Sequence, residues 1–280
     1  MSDATILDRI VAQRRLDVRA AKEAVPFATL QEKLRAAPLP CDFVARLRES
    51  GPVALIAEIK RASPSKGDIA PGIDAAAQGA IYAKAGAAAI SVLTEPKWFK
   101  GSLDDLERVR TTTERMSAQR PGVLRKDFII DEYQVAEARA YGADSVLLIV
   151  AALRDSMLRG LMEMSRTMGM EPLVEVNNGE EMERAVTAGA TFIGVNNRDL
   201  RSFDVDLGTT DRLANMVPKG VLLAALSGIS TRADVERFQA AGAEAVLVGE
   251  ALMSATDASA KVAELVGTVA HPRMPGVSAP

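Results

Sequence analysis

The chain has 280 residues, 34 Lys and Arg against 37 Asp and Glu for a net charge of -3, and is 48% hydrophobic and 25% charged. This is a soluble globular composition, which excludes disordered and collagen-like chains. The absence of any Lys/Arg-rich run or aromatic-interleaved basic stripe excludes a nucleic-acid footprint.

Cys41 is the only cysteine and His271 the only histidine. No intrachain disulfide is available, and Ser-His-Asp, Cys-His and histidine-zinc chemistry are removed, so acid–base catalysis falls to Lys, Glu or Asp. No apolar run approaches the roughly 20 residues of a membrane span, and Met1 to Glu23 lacks the apolar core of a signal peptide. A cytoplasmic location without a membrane partner is expected.

Apolar residues at helical spacing (Ile6, Ile10, Val11, Val18) predict an amphipathic helix over 5–24, and a second runs from Phe27 to Ala37 before Pro38-Leu39-Pro40 breaks it. Residues 1–50 are too short to bury a core of their own and read as a helical extension packing on the rest of the chain. From residue 53 short apolar runs alternate with helix-patterned segments. The runs are Val53–Lys60, Ala89–Leu93, Val123–Phe128, Ser145–Val150, Pro172–Val176, Phe192–Asn196, Val221–Ser227 and Ala245–Gly249. Helices are predicted near 73–85, 102–118, 131–141, 153–168, 178–188, 208–216, 231–241 and 256–266. Glycines at 86, 142, 189 and 242 end helices just before strands. Eight βα units close naturally into a barrel, so the predicted fold is α/β, a (β/α)8 TIM barrel over 51–268, with 269–280 a flexible tail.

The first run, Val53 to Lys60, is apolar until Glu58 and Lys60. With side chains alternating at period two, both point the way Ala54 and Ile56 do. Burying either charge unpaired is costly, so the pair must meet solvent, a counter-charge or a ligand at the carboxyl end of the strand. Ser63-Pro64-Ser65-Lys66-Gly67 is then turn chemistry with hydroxyl and lysine donors to spare. Lys126, Glu175, Asn196 and Arg198 end or follow other runs. In a barrel these tips converge on one face, so with Glu58 and Lys60 they should surround one cavity suited to acid–base catalysis without histidine; a ring of structural ion pairs is the competing reading. Ser227-Gly228 and Gly249-Glu250 follow the last two runs, where barrels often bind phosphate, although glycines there also close tight βα turns.

The segments AEIKRASPSKG (57–67), ISVLTE with FKGS (90–102), LRKDFI (124–129), ADSVLLIV (143–150), GMEPLVEV (169–176), IGVNNRDL (193–200) and SGIS (227–230) together resemble the indole-3-glycerol-phosphate synthase family of tryptophan biosynthesis, across the barrel and the extension. The resemblance implies cyclisation of 1-(2-carboxyphenylamino)-1-deoxyribulose 5-phosphate with loss of CO2 and water. It implies no metal and no organic cofactor. Lys126 would be the general acid, Glu175 and Lys60 would manage later proton transfers, and Glu58 would hold or share them. Asn196 and Arg198 would orient hydroxyls and carboxylate. Ser63, Phe99 and Phe128 would bind substrate, with Trp98 a further candidate for the apolar wall, and Ser227, Gly228, Gly249, Glu250 and Lys60 would surround the phosphate.

A small phosphosugar substrate is thus the expected partner. A monomer is expected, and a fused or associated pathway enzyme is left open. The chain departs from the family pattern at Leu226, where the family has glutamate, and at Glu250, where many members have serine. Without the carboxylate at 226 the cavity should be more positive and its lysine pKa values lower, unless strand alternation turns residue 226 towards the helices. The side chain of Glu250 should turn away from a phosphate. A phosphoribosylanthranilate isomerase-like barrel and a degenerate phosphate-binding barrel are the alternatives.

Overall fold

The structure, a computed structural model, describes residues 4–116 and 119–267. His271, the predicted tail at 269–280 and the last two residues of the helix predicted at 102–118 lie outside the described residues.

Among the described residues three helices precede the barrel. α1 (Ile6–Ala24) opens on a capping box between Thr5 and Asp8, and α2 (Phe27–Ala36) follows after Pro26. α3 (Phe43–Arg48) is not predicted by the sequence pattern, because six residues are too few for a period to show. It forms because the Asp42 carboxylate accepts the Ala45 N–H at 2.9 Å and because Phe43 and Leu47, one turn apart, enter the floor of the barrel. Phe43 packs against Phe192 at 6.0 Å between ring centroids. At Gly122 a Cβ would lie 2.5 Å from the Phe43 ring, so the glycine makes room for the plug.

The barrel strands are β1 (Ala54–Ile59), β4 (Ala89–Leu93), β5 (Gly122–Lys126), β6 (Ser145–Ile149), β7 (Leu173–Val176), β8 (Phe192–Asn196), β9 (Leu222–Leu226) and β10 (Ala245–Val248). They close in the order β1-β10-β9-β8-β7-β6-β5-β4, with every pair parallel. These are the eight predicted runs with ends shifted by up to two residues, β5 beginning one residue before its run at Gly122. The largest trim is at β5, which stops at Lys126, so Asp127 and Phe128 belong to the loop. The intervening helices are α4 (Ala75–Lys84), α5 (Leu103–Glu114), α6 (Glu132–Ala140), α7 (Asp155–Thr167), α8 (Gly179–Thr187), α9 (Gly208–Ala214), α10 (Arg232–Ala240) and α12 (Ala258–Val266).

Other short features also escape the sequence pattern: a hairpin of β2 (Ala62–Ser63) and β3 (Gly67–Asp68), a 3-10 turn at Val150–Ala152, and the single-turn helix α11 (Glu250–Met253). Strand alternation divides the core in two. Ala54, Ile56, Leu124, Leu147, Leu173, Leu226 and Leu247 fill the interior, while Leu55, Ala57, Val123, Val146, Val174 and Val248 pack under the helices.

Candidate active site

At the carboxyl ends of the strands a cavity of about 530 Å³ opens. Glu58, Lys60, Ser63, Phe99, Lys126, Phe128, Glu175, Asn196, Arg198, Ser227, Gly228, Gly249 and Glu250 all line it, so the residues singled out from the sequence meet in one place. Trp98 does not line it. That ring packs against the interior cluster with the Lys97 ammonium 4.8 Å from its centroid, and the apolar wall is instead Phe99 against Phe128, 5.9 Å apart, with Leu93, Leu147 and Ile149 below.

Period-two alternation carries Glu58 inward after Ala54 and Ile56, and Lys126 inward after Leu124. The buried Glu58 carboxylate lies between two ammonium groups, with Lys60 Nζ at 3.0 Å from Oε1 and Lys126 Nζ at 3.3 Å from Oε2. Burial alone would raise its pKa, but the two lysines outweigh burial and bring it down to about 2. Burial also works against the charge on Lys126, yet Glu58 and Glu175 outweigh it and raise its pKa above the ordinary lysine value. Two carboxylates thus hold the Lys126 pKa above the ordinary lysine value even with leucine at 226, and whether a carboxylate at 226 would raise it further is a question for the Leu226→Glu variant.

Glu175 is shifted the other way. Burial raises its pKa, and the opposing pull of Lys126 and of the Asn196 amide, which donates to Oε1 at 2.9 Å, does not cancel the shift. The site thus holds one carboxylate fixed as an anion, a second made more basic by its burial, and a lysine kept protonated.

Leu226 faces inward. It sits in the interior cluster, is 1% exposed and lines the cavity, so the outward-facing alternative is excluded. Its Cδ1 would be 2.7 Å from a Cβ at Gly194, the glycine of β8 that admits it. Gly249 answers a different demand from a turn. Its φ is -122°, but a Cβ there would meet Glu58 Oε1 at 2.3 Å, so the glycine is what allows the carboxylate to lie against the end of β10.

Ser227 and Gly228 adopt successive left-handed conformations, φ 66° and 80°, and the buried Asn197 holds this turn by donating to the Ser227 carbonyl at 3.2 Å. The Glu250 carboxylate lies at the mouth, 3.1 Å from Lys66 Nζ and 3.8 Å from an Arg198 nitrogen. Arg198 also donates to the Phe203 carbonyl at 3.2 Å. Ser63, on the hairpin, rests 3.4 Å from the Ser65 hydroxyl.

Sequence reasoning missed the groups that hold the wall. Glu95, fully buried, accepts the N–H groups of Lys97, Trp98 and Phe99 at 2.7–2.9 Å and so shapes the loop that presents Phe99. Behind Lys126, Asp127 accepts from Thr94 at 2.6 Å and Arg125 at 3.0 Å through Oδ2, and from the Phe128 N–H at 2.8 Å through Oδ1. The signal was available: Arg125 and Asp127 alternate with Lys126, so two charges had to face the helices and find partners there.

The indole-3-glycerol phosphate synthase family model matches residues 7–265. The chain is 51% identical over 265 residues to an indole-3-glycerol phosphate synthase of Roseiflexus sp. (strain RS-1), covering 94% of this chain and 98% of that one. It is 59% identical over 269 residues to a multifunctional tryptophan biosynthesis protein of Phycomyces blakesleeanus and covers 35% of it, so the chain spans about a third of that relative's length. Among solved structures, 3-hexulose-6-phosphate synthase from Salmonella typhimurium superposes with a TM-score of 0.62 at 14% identity, covering 77% of this chain and 97% of that chain, a likeness of fold.

Proposed function

The chain belongs to the indole-3-glycerol phosphate synthase family, and from that premise we propose that it cyclises 1-(2-carboxyphenylamino)-1-deoxyribulose 5-phosphate to indole-3-glycerol phosphate, releasing CO2 and water. The observation that carries the chemistry is Glu58 lying between Lys60 and Lys126 with Glu175 opposite. Lys126, held protonated, gives its proton to the ribulose carbonyl oxygen as the ring carbon bearing the carboxylate attacks. CO2 departs and the ring regains its aromaticity. The new hydroxyl then leaves as water with a proton from Lys60, and Glu175 takes the carbon-bound proton whose loss completes the indole. A carboxyl with a pKa of about 2 carries no proton near neutrality, so Glu58 positions the two lysines and does not relay.

Phe99 and Phe128 receive the aryl ring. Asn196 and Arg198 orient the hydroxyls and carboxylate, and Ser63 contacts substrate from the hairpin. The phosphate rests on the turn at Ser227 and Gly228 and on the backbone after Gly249, with Lys60 near and the Glu250 N–H donating. Residues 1–50 act as an extension whose helices plug the barrel floor and flank its mouth. The reaction occurs in the cytoplasm, and a pathway enzyme fused to or associated with the chain is compatible with the multifunctional relatives. Incubation with the carboxyphenylamino-ribulose phosphate should give indole fluorescence, inhibited competitively by inorganic phosphate. No fluorescence at any substrate concentration refutes the activity, and non-competitive inhibition moves the phosphate away from the turn at 227–228.

A further inference from the structure

Beside the catalytic cavity lies a second, buried charge cluster, of which Asp127 alone borders the cavity. Asp127 Oδ2 accepts not only from Thr94 and Arg125 but also from Arg14 on α1, at 3.1 Å, and all four side chains are buried. Arg125 is shared, since its NH1 also reaches Glu137 at 2.9 Å and the Gln134 carbonyl at 2.8 Å. Two buried carboxylates, Asp127 and Glu137, therefore depend on two guanidinium groups, and Arg14 is the one that comes from outside the barrel. Its other hand holds Asp17 of the same helix at 3.0 Å. Remove Arg14 and Arg125 alone must balance both carboxylates, a burial of net charge that the cluster relieves only by moving or by protonating.

What moves with Asp127 is the segment that builds the site. Lys126 and Phe128 flank it, the Phe128 N–H is held by Asp127 Oδ1, the Lys126 carbonyl accepts from the Thr94 N–H at 3.0 Å, and Gln134 ties the Phe128 carbonyl and the Ile130 N–H.

We propose that Arg14 is a positioning residue: by completing the charge balance of Asp127 it fixes the Lys126–Phe128 segment, so that α1 sets the placement of the general acid and of the aryl wall. The inference rests on the assignment of Lys126 and Phe128 above. Arg14 touches neither substrate nor reacting atoms, and its effect is one of geometry, where a misplacement of about 1 Å costs up to ~10²-fold in rate.

Three variants test it. Arg14→Met keeps the apolar stem and deletes the charge, Arg14→Lys returns one charge, and Val18→Ala loosens the same helix one turn away, where Val18 packs against Leu30 and Tyr133 outside the cluster. Arg14→Met should lower kcat about tenfold or more and raise KM by less than that factor, because the aryl wall moves while the phosphate turn, after β9 and β10 across the mouth, does not. Arg14→Lys should recover kcat to within roughly threefold of the parent, and Val18→Ala should lower the Tm while leaving kcat within about twofold. Amide hydrogen exchange at Phe128 and Ile130 should accelerate in Arg14→Met and not in Val18→Ala. Loss of kcat in Val18→Ala in proportion to its Tm, or an Arg14→Met enzyme keeping more than half of its turnover, would overturn the proposal. Should the parent protein not turn over the substrate at all, the functional reading falls, and exchange at Phe128 decides the positioning role alone: unchanged exchange in Arg14→Met overturns it.

Discussion

Glu58→Gln keeps the shape of the side chain between Lys60 and Lys126 and removes its charge. At 3.0 and 3.3 Å each ion pair is worth about 5 kcal/mol at an effective dielectric constant of ~20, before the desolvation of the carboxylate is counted against it. Net shifts for such pairs are about 1–3 pKa units, or roughly 1.4–4 kcal/mol. The pKa of Lys126 stands above 10.5 because Glu58 and Glu175 together outweigh burial, so deleting one of them must lower it.

The alkaline limb of kcat/KM should therefore move to lower pH by about 1–3 units in Glu58→Gln. Stability carries the opposite edge of the same coupling. The folded pKa of Glu58 is about 2 against an ordinary 4.5, so its contribution is fully present above pH 4.5 and is lost as pH falls towards 2. Glu58→Gln should be less stable than the parent at pH 7, by a few kcal/mol for two ammonium groups left without their shared partner, and should show less acid sensitivity between pH 4.5 and 2. Urea midpoints at the two ends of that window and a pH–rate profile read both effects. An alkaline limb within about 0.3 units of the parent, with undiminished acid sensitivity, would refute the coupling.

Lys126→Ala should cut turnover by about 10²–10⁴-fold with the fold retained, at some cost in Tm from the buried Glu58 it leaves with Lys60 alone; more than a tenth of parental turnover would remove it from the acid role. Gly249→Ala should displace the Glu58 carboxylate, which a Cβ would approach to 2.3 Å, and lower kcat by at least about tenfold; a crystal structure of the variant with Glu58 unmoved would contradict this. Leu226→Glu exchanges a leucine of the interior cluster for a carboxylate in the cavity wall. It should cost roughly 2–4 kcal/mol of stability and shift the alkaline limb to higher pH, whereas a destabilised variant with an unmoved limb would show that residue 226 does not act on the lysines.

Sequence alone was enough for the barrel and for gathering the candidate charged residues around one cavity, though not for Trp98 or for the groups that hold the wall. Eight apolar runs at regular spacing specify βα units because only burial on both faces makes a strand apolar throughout, and parallel closure then carries every strand tip to one end. Glu58, Lys126 and Glu175 were legible for the same reason: each breaks an apolar run at its carboxyl end, on the inward phase of a period-two pattern. Tertiary structure alone decided how their charges are shared. Which lysine faces which carboxylate depends on register between strands far apart in the chain, and that register makes Glu58 a fixed anion and leaves Glu175 raised. The inward face of Leu226, the reason for Gly249 and the exclusion of Trp98 from the cavity likewise come from packing across strands. Arg14 is the extreme case, lying 113 residues from Asp127 on a helix whose period announces only its apolar face; a charge buried on that face is visible only once the fold supplies its partner.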